Sequence, residues 1–438
     1  MEFWSDIVKS VHTIEGKHSV IELEDWKNCL KKNTFVKVKQ IDLNAMKNWQ
    51  LNDYGEIEHT SKGFFRVTGL SVSQETSKIK SWNQPIIDQQ EIGILGFLCT
   101  KINGVLHFLV QAKIEPGNVN VIQLCPTVQA TRSNFKRVHK GGSVPYLNYF
   151  LKNKHIIDRL QSEQGGRFFR KFNRNVISFI KSEIKSLENF RWMTLGQISY
   201  FLNKDNVLNM DARSVLSHLM TFDPSAIWNN NIINSINYFR FTNHTHSKLI
   251  GLDALTEWSF KDGVLSHEDD KFFHVIGASV NIDGREVNSW DQPMIAPVSR
   301  GICGTIIRRS ETDLQILIQC KFECGLGNRV EIAPSLQSLI GRAELAKVNK
   351  IPFIDYFGIG SGAGRKLYSV LQSEEGGRFY QEENLYEIAE VNLKTVNIPE
   401  SFQWISFSAL KKLIAIGGLV NIQLRGLALA LWLLEPVK

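Results

Sequence analysis

Hydrophobic and polar residues alternate along the stretch from His107 to Glu115, which follows an apolar run at 93–99. The odd positions of this stretch would share one face of a strand, and the apolar even positions would share the other. Asn103-Gly104 lies between the two runs and favours a type I′ turn, because both central positions of that turn need positive φ. The pattern predicts a β-hairpin with one polar face.

Apolar residues recur at helical spacing in other stretches, namely 23–30, 146–160, 174–187 and 211–220. Asp211 is the predicted N-cap of the last of these helices. The apolar stretch 413–434 is interrupted by polar residues and predicts two packed helices, not a membrane span. Because strands are followed by helices twice over, we predict an α+β fold (mixed α/β/α), built of mixed β-sheets flanked by helices.

Two long motifs each occur twice. SWNQPII at 81–87 returns as SWDQPMI at 289–295, and LQSEQGGRF at 160–168 returns as LQSEEGGRF at 371–379. The two copies lie 208 positions apart for the first motif and 211 for the second. Such long spacings indicate a duplicated domain, because solenoid repeats have periods of about 20 to 50 residues. Polar residues that one copy has and the other lacks are therefore the better candidates for chemistry.

The duplication divides the chain into four parts. We predict an N-terminal helical cap (1–62), a first repeat (63–220), a connecting and capping segment (221–270) and a second repeat (271–438). The connecting segment should include a cap equivalent to the N-terminal one.

Composition and charge limit the classes of protein. The 438 residues are 43% hydrophobic and 22% charged, as in a folded protein, and the net charge of +7 fits an anionic ligand. Lys and Arg are spread along the chain, so nucleic acid is not expected as a partner. The N-terminus lacks the features of a signal peptide and the six cysteines form no CxxC pair, which predicts a cytoplasmic protein with reduced thiols and no membrane association.

The polar face of the hairpin has a counterpart in the second repeat. Gln111, Lys113 and Glu115 recur as Gln-Lys-Glu with the same spacing at 319, 321 and 323. Such a row could be the solvated face of a half-buried strand or the wall of a pocket. Its recurrence favours the pocket.

The two repeated motifs each allow two interpretations. Trp82 could stack on a base or a sugar, or it could anchor a turn before a proline. The Gly165-Gly166 pair could let a phosphate approach the backbone beside Arg167, or it could close a helix. Basic residues around this motif are more frequent in repeat one than in repeat two, so a diphosphate should bind better in repeat one.

Several common kinds of site are not expected. His244 and His246 lack Cys or carboxylate neighbours in the sequence, so we predict no metal site. The chain contains neither GxGxxG nor GxxxxGK[ST], which argues against a dinucleotide site and a P-loop. It also lacks the GxSxG motif of hydrolases.

Taken together, the motifs resemble those of the NDP-hexose 2,3-dehydratase family. The resemblance rests on SWNQPII (81–87), LVQAKIEPGN (109–118), PTVQATRSN (126–134), VPYLNYF (144–150) and QSEQGGRFFRKFNRN (161–175), with their counterparts. It implies two tandem Nudix-like modules in a homodimer, without hydrolase activity, because a Glu-rich Nudix box is missing. It also implies a substrate such as dTDP-4-keto-6-deoxyglucose, from which the C3 proton and the C2 hydroxyl are lost as water.

The same resemblance implies no cofactor and a 3,4-diketo-2,6-dideoxy product that an NADPH-dependent 3-ketoreductase would reduce. A non-catalytic protein that binds nucleotide sugars or acts as a scaffold in the same pathway is the alternative. A Nudix-like pyrophosphatase is a third hypothesis.

We place the working site in repeat one. Lys113 or Glu115 should carry out the proton transfers, with Gln111 and His139 as hydrogen-bonding candidates. Trp82 and Gln84 are the candidates for recognising the base. Arg132, Arg167 and Arg174 are those for the diphosphate, and the other substrate-binding candidates are Gln129, Thr131, Asn134, Gln161, Glu163 and Asn173. The weakened or relic pocket of repeat two would comprise Trp290, Gln292, Gln319, Lys321, Glu323, Gln372 and Arg378.

Overall fold

The structure is a computed structural model. It describes residues 2–75, 79–131, 143–151, 154–242, 244–283, 287–310, 313–339, 351–358, 364–392 and 398–435. Arg132, Asn134 and His139, three of the predicted site residues, lie outside these ranges.

A first large sheet forms the centre of repeat one. Its strands are β6 (Gly93–Ile102), β7 (Val105–Ile114), β8 (Ile122–Cys125), β9 (Val128–Ala130), β10 (Ile157–Ser162), β12 (Phe172–Phe179) and β13 (Phe190–Met193). The order is β10-β12-β6-β7-β13, with β8 beside β7 and β9 beside β6. Strands β12 and β6 are parallel and their neighbours antiparallel, so the sheet is mixed.

A second large sheet has the same plan. Its strands are β19 (Gly301–Arg309), β20 (Leu314–Phe322), β21 (Val330–Ala333), β22 (Leu336–Leu339), β23 (Arg365–Ser373), β24 (Glu383–Glu390) and β25 (Phe402–Ser406). The order is β21-β20-β19-β24-β23, and β24 runs parallel to β19. The agreement in order and direction fits a duplication.

Two smaller sheets carry the SWNQP and SWDQP segments. The first small sheet contains β2 (Trp49–Leu51), β3 (Ile57–His59), β4 (Arg66–Glu75), β5 (Ile79–Asp88), β11 (Phe168–Phe169) and β14 (His244–Ile250). The second contains β1 (Val36–Ile41), β15 (Trp258–Lys261), β16 (Val264–His267), β17 (Phe273–Ile282) and β18 (Ser289–Pro297).

The halves exchange one strand each. Strand β1, near the N-terminus, pairs with β17 of the second half, with Val38 opposite Val280. Strand β14, which follows the first large sheet in sequence, pairs back with β4, with Ser247 opposite Val72. Each small sheet is therefore completed by a strand that lies nearer in sequence to the other half.

Helices cover the sheets and join the halves. They are α1 (Glu2–Val11), α2 (Val20–Asn33), α3 (Leu195–Leu202), α4 (Met210–Ser217), α5 (Asn230–Thr242), α6 (Phe407–Leu413) and α7 (Ile422–Leu434). None of the helices in the described residues is long and apolar enough to cross a bilayer.

Helices α4 and α7 pack together between the two large sheets. Arg213 on α4 donates to the Ser373 carbonyl of the second half at 2.8 Å. Arg425 on α7 donates to the Ser162 carbonyl of the first half, also at 2.8 Å. Both guanidinium groups are buried, and their reciprocal bonds tie each repeat to the other.

The local predictions had mixed outcomes. The hairpin is confirmed, with positive φ at Asn103 and Gly104, and so is the helix around 23–30. Of the two helices predicted within 413–434, only α7 lies there, because α6 ends at Leu413, where the stretch begins. The helices predicted over 146–160 and 174–187 are wrong, because these stretches contain β10 and β12. The predicted cap of α4 was wrong too: Asn209, not Asp211, accepts the Ala212 amide at 2.8 Å.

Candidate active site

A cavity of about 540 Å³ opens between the first large sheet and the second small sheet. This volume lies within the roughly 300–1,000 Å³ typical of small-molecule sites. The first half contributes Lys47, Trp49, His59, Phe64, Phe65, Gln89, Leu95, Lys113, Glu115, Gln129, Thr131, Glu163, Lys171, Asn173 and Asp211, among others. The second half contributes Ser279, Ser289, Trp290, Asp291, Gln292, Glu375, Gly377 and Arg378, among others. Both repeats thus form its wall.

An ion pair lies on the polar face of the hairpin. Lys113 Nζ is 2.7 Å from Glu115 Oε1, and the two side chains are only 13% and 5% exposed. Gln129, on the adjoining strand β9, donates from Nε2 to Glu115 Oε1 at 3.4 Å and to an Asp211 carboxylate oxygen. Strand β9 and helix α4 thus bring Gln129 and Asp211 to the Lys113–Glu115 pair.

The Gly-Gly turn of the second half is docked against the end of strand β7. The Gly117 amide donates to the Gly376 carbonyl at 2.7 Å, and the Gln381 amide donates to the Gly117 carbonyl at 2.8 Å. A Cβ at Gly117 would overlap the Phe379 carbonyl oxygen, so this approach requires glycine. The docking brings Glu375 and Arg378 to the cavity that contains Lys113.

Arg378 is held in place by both halves. Its guanidinium lies 4.2 Å from the centre of the Phe65 ring, and Nη2 donates to Gln89 Oε1 at 3.1 Å. Strand β18 holds the residue that precedes Arg378. Gln292 on this strand donates to the Gly377 carbonyl at 2.7 Å, and Trp290 Nε1 donates to Gln292 Oε1 at 2.8 Å. These contacts give a positive group a defined position at the cavity wall.

Three acidic side chains in the cavity have raised pKa values. Burial, reinforced by the nearby Glu115 carboxylate, raises the pKa of Glu375 to about 7. Burial, and after it the charge of Glu163, raises the pKa of Asp211 well above its ordinary value. Burial also raises the pKa of Glu163, against the effect of Arg425. The cavity is therefore suited to holding and moving protons near neutral pH.

Lys171 and Asn173 form the side of the cavity next to Glu163. Asn173 donates to Glu163 Oε1 at 2.7 Å and accepts the Gly93 amide at 3.0 Å. Burial lowers the pKa of Lys171, whose ammonium donates to the Glu91 carbonyl. An anion in the cavity would favour the charged form of this lysine.

The structure brings together some of the sequence-predicted residues and separates others. Those that line the cavity are Lys113, Glu115, Gln129, Thr131, Glu163, Asn173, Trp290, Gln292 and Arg378. The last three had been placed in a separate pocket of repeat two. Trp82, Gln84, Gln111, Gln161, Arg167, Arg174, Gln319, Lys321, Glu323 and Gln372 are not among the lining residues.

Arg167 faces the second half instead, and Gln84 holds the turn that precedes it. Gln84 donates to the Gly166 carbonyl at 2.9 Å, and the Gly165 amide donates to Glu323 Oε2 at 2.7 Å. Arg167 lies over the Phe273 ring at 4.2 Å. The arrangement around Lys113 is thus repeated around Lys321 with the roles of the halves exchanged, and each Gly-Gly turn serves the other repeat.

Other predicted residues have structural contacts. Gln161 is buried and donates to the Ile414 carbonyl at 2.9 Å, and the equivalent Gln372 donates to the Leu202 carbonyl at 3.0 Å. Arg174 pairs with Asp158, with Nε 2.8 Å from Oδ1. Trp82 packs against a cluster that includes Leu70.

Sequence reasoning missed several polar residues of the cavity, among them Gln89, Lys171, Asp211 and Glu375. Two of them carried a readable signal. Asp211 corresponds to Gln423, because each is the second residue of a helix capped by asparagine. Glu375 corresponds to Gln164 in the QSEEGGRF and QSEQGGRF motifs. In both pairs a carboxylate in the cavity has an amide as its counterpart.

No group of three or more His, Cys, Asp or Glu side chains in the described ranges is arranged to hold a metal ion.

Comparison with known proteins gives a consistent result. A family model described as NDP-hexose 2,3-dehydratase matches the chain twice, over residues 21–219 and 229–431. The two matched segments agree with the two halves of the structure.

Three curated proteins, each named dTDP-4-dehydro-6-deoxy-alpha-D-glucopyranose 2,3-dehydratase, are similar over most of their length. The protein from Saccharopolyspora spinosa is 36% identical over 433 residues, which cover 92% of this chain and 89% of that protein. The protein from Streptomyces violaceoruber is 34% identical, with 89% and 92% covered. The protein from Amycolatopsis orientalis is 35% identical, with 85% and 81% covered.

Proposed function

This chain belongs to the NDP-hexose 2,3-dehydratase family, and from that premise we propose that it removes water from dTDP-4-keto-6-deoxyglucose. As a sugar-nucleotide 2,3-dehydratase it is a hydro-lyase of deoxysugar biosynthesis. The product would be the dTDP-linked 3,4-diketo-2,6-dideoxy sugar. The substrate is proposed on the names of the relatives and on the cavity's mixture of cations and carboxylates.

The reaction sets three requirements for the site. The C4 ketone acidifies the proton on C3, which a base must remove. Negative charge then develops on the C4 oxygen, where a hydrogen-bond donor or a cation stabilises it. The C2 hydroxyl is a poor leaving group, so an acid must protonate it as it departs.

The Lys113–Glu115 ion pair is the observation that carries the proposal. Its 2.7 Å separation favours an ammonium beside a carboxylate, both largely buried at the wall of the cavity. In our proposal, Glu115 removes the C3 proton and Lys113 donates to the C4 oxygen. Gln129 holds the Glu115 carboxylate in position through its amide.

The same cavity offers groups for the rest of the substrate. Arg378 and Lys171 supply positive charge for the diphosphate, and the guanidinium of Arg378 can bind two phosphate oxygens at once. Trp290 supplies an aromatic ring for the base. Arg132, Asn134 and His139 stay predictions, since they lie outside the described residues.

Three further properties belong to the proposal. The two halves are Nudix-like modules, as the resemblance of the motifs implies. The protein is a homodimer, and its unstable diketo product passes to an NADPH-dependent 3-ketoreductase.

A coupled assay tests the activity. Purified protein is mixed with dTDP-4-keto-6-deoxyglucose, NADPH and a 3-ketoreductase, and NADPH absorbance is followed. We expect NADPH to be consumed only when both proteins are present. Binding of the nucleotide sugar without NADPH consumption would support the non-catalytic alternative. Release of a nucleoside monophosphate with magnesium would support a pyrophosphatase.

A further inference from the structure

The acidic residues of the cavity differ in the type of residue found at the equivalent position of the other repeat. Glu115 and Glu163 correspond to Glu323 and Glu374, which are also glutamates. Asp211 and Glu375 correspond to Gln423 and Gln164. The duplicated fold therefore tolerates an amide at two positions where the cavity has a carboxyl group.

An amide keeps the hydrogen bonds of a carboxyl group but cannot donate or accept a proton in catalysis. Gln164 shows this directly, because its Nε2 donates to Glu374 Oε2 at 2.7 Å in the buried interior. The fold thus accommodates glutamine at the equivalent position. What the carboxyl group of Glu375 adds is proton transfer.

We infer that Glu375, supplied by the second repeat, is the general acid that protonates the departing C2 hydroxyl. It lines the same cavity as Lys113 and Glu115. The Gly377 amide donates to Glu375 Oε1 at 2.9 Å and so orients the carboxyl group. This inference rests on the proposed function.

Burial, reinforced by nearby carboxylates, raises the pKa of Glu375 to about 7, so a large fraction of it is protonated at neutral pH. Burial and the carboxylates of Glu115 and Glu163 favour the protonated form, whereas Arg378 and Lys113 oppose it. Asp211 and Lys171 also interact with it across the cavity. Glu115, in contrast, has the Lys113 ammonium 2.7 Å away. One carboxyl group is thus set up as an acid and the other as a base.

The proton transfers balance over the whole reaction. Glu115 takes the proton from C3, the C2–O bond breaks, and Glu375 gives its proton to the oxygen that leaves as water. The sugar is then an enol with a C2=C3 double bond, Glu115 is protonated and Glu375 is ionised. When Glu375 takes the enol O3 proton and Glu115 protonates C2, the 3,4-diketone forms. Both side chains return to their starting states.

A change of leaving group tests this role. Glu375→Gln is assayed with dTDP-4-keto-6-deoxyglucose and with its 2-deoxy-2-fluoro analogue, from which fluoride leaves without needing full protonation. We expect the turnover of the hydroxyl substrate to fall by about 100-fold or more, and fluoride release to fall by less than about 10-fold. Glutamine at the equivalent position 164 indicates that the variant will fold.

Glu382→Gln is the matched control. Glu382 is also in the second repeat and its pKa is likewise raised to about 7 by burial, but it does not line the cavity. This variant should keep both rates within about 3-fold. If Glu375→Gln does not fold, Glu375→Asp is compared with the wild type in the same way.

Equal losses with both substrates, no loss, or the same effect from Glu382→Gln would overturn the role of Glu375. Wild-type protein that processes neither substrate would instead overturn the proposed function, and the inference with it. The two failures are therefore distinguishable.

Discussion

Lys113 and Lys321 occupy equivalent strand positions but have different neighbours. The Lys113 ammonium is 2.7 Å from Glu115. The Lys321 ammonium is 3.9 Å from Glu323 and donates instead to Gln337 Oε1 at 2.7 Å. The close ion pair is thus a property of the first repeat's strand, where the cavity lies.

This difference predicts unequal effects of the same substitution. Lys113→Met should lower kcat/KM by about 100-fold or more, because it removes the proposed donor to the C4 oxygen and the ion-pair partner of Glu115. Lys321→Met should change kcat/KM by less than about 3-fold. Steady-state kinetics with the coupled assay measures both, and a larger effect at Lys321 would place the working site in the other half.

Glu331 predicts a pH-dependent change in stability. It is buried opposite Lys321, and burial raises its pKa to about 7. A folded-state pKa above the unfolded value means that stability present below about pH 4.5 is lost as pH rises through 7. Glu331→Gln should therefore raise stability at pH 8 by on the order of 2 to 3 kcal/mol and change it little at pH 4.

Denaturant unfolding at the two pH values measures this effect. The equivalent residue of the first large sheet is Gln123, which faces Lys113. Gln123→Glu is the reverse substitution and should lower stability at pH 8 more than at pH 4. An effect of Glu331→Gln that is equal at both pH values would contradict the explanation.

At the scale of elements, local signals predicted only those structures that local interactions determine. The hairpin was predictable because Asn103-Gly104 fixes its turn. Strand β12 was mistaken for a helix because it is central and parallel to β6, and its consecutive residues Val176 and Ile177 are buried on opposite faces. Such strands lack the alternation that distinguishes them from buried helices.

Only part of the site was predictable, because only some of its residues follow from a local pattern. The row containing Lys113 and Glu115 follows from the period of a single strand. That Arg378 and Trp290 would join this row, while Arg167 and Gln84 would not, depends on contacts between segments more than 170 residues apart in sequence. No local pattern predicts that segments of both repeats form one site. The amides of Gln423 and Gln164, at the positions equivalent to Asp211 and Glu375, were a sequence signal of it.

The docked turn gives a prediction about glycine. Gly117→Ala should destabilise the protein by about 1 to 3 kcal/mol and lower activity, because the new methyl group would collide with the Phe379 carbonyl and push the Glu375 turn outward. Gly166→Ala is the control, since a Cβ there meets nothing within 4 Å and should change stability by less than about 0.5 kcal/mol. Thermal unfolding and the coupled assay measure both. A tolerated Gly117→Ala would show that the turn is not held against β7.

At the scale of the whole molecule, the halves are interdependent. Strand β1 completes the second small sheet, β14 completes the first, and the cavity has walls from both repeats. A fragment that ends between the halves would expose unpaired strand edges, which favour aggregation.

Fragments 1–228 and 229–438 should therefore be insoluble or unfolded when produced alone, and should recover activity when produced together. Sedimentation, circular dichroism and the coupled assay measure the outcome. An active first fragment on its own would contradict a site shared by the halves.

The exchange of Gly-Gly turns also affects how the gene can change over generations. The pocket of the second repeat is predicted to be a relic, and a copy with such a pocket would ordinarily be free to decay or to be deleted. Here the second repeat still provides part of the cavity wall, a cation and, in our proposal, the acid, so selection should preserve Glu375 and Arg378 while allowing Lys321 to drift. A nonsense mutation that removes the second repeat should accordingly abolish activity, although the proposed base, Glu115, is encoded in the first repeat.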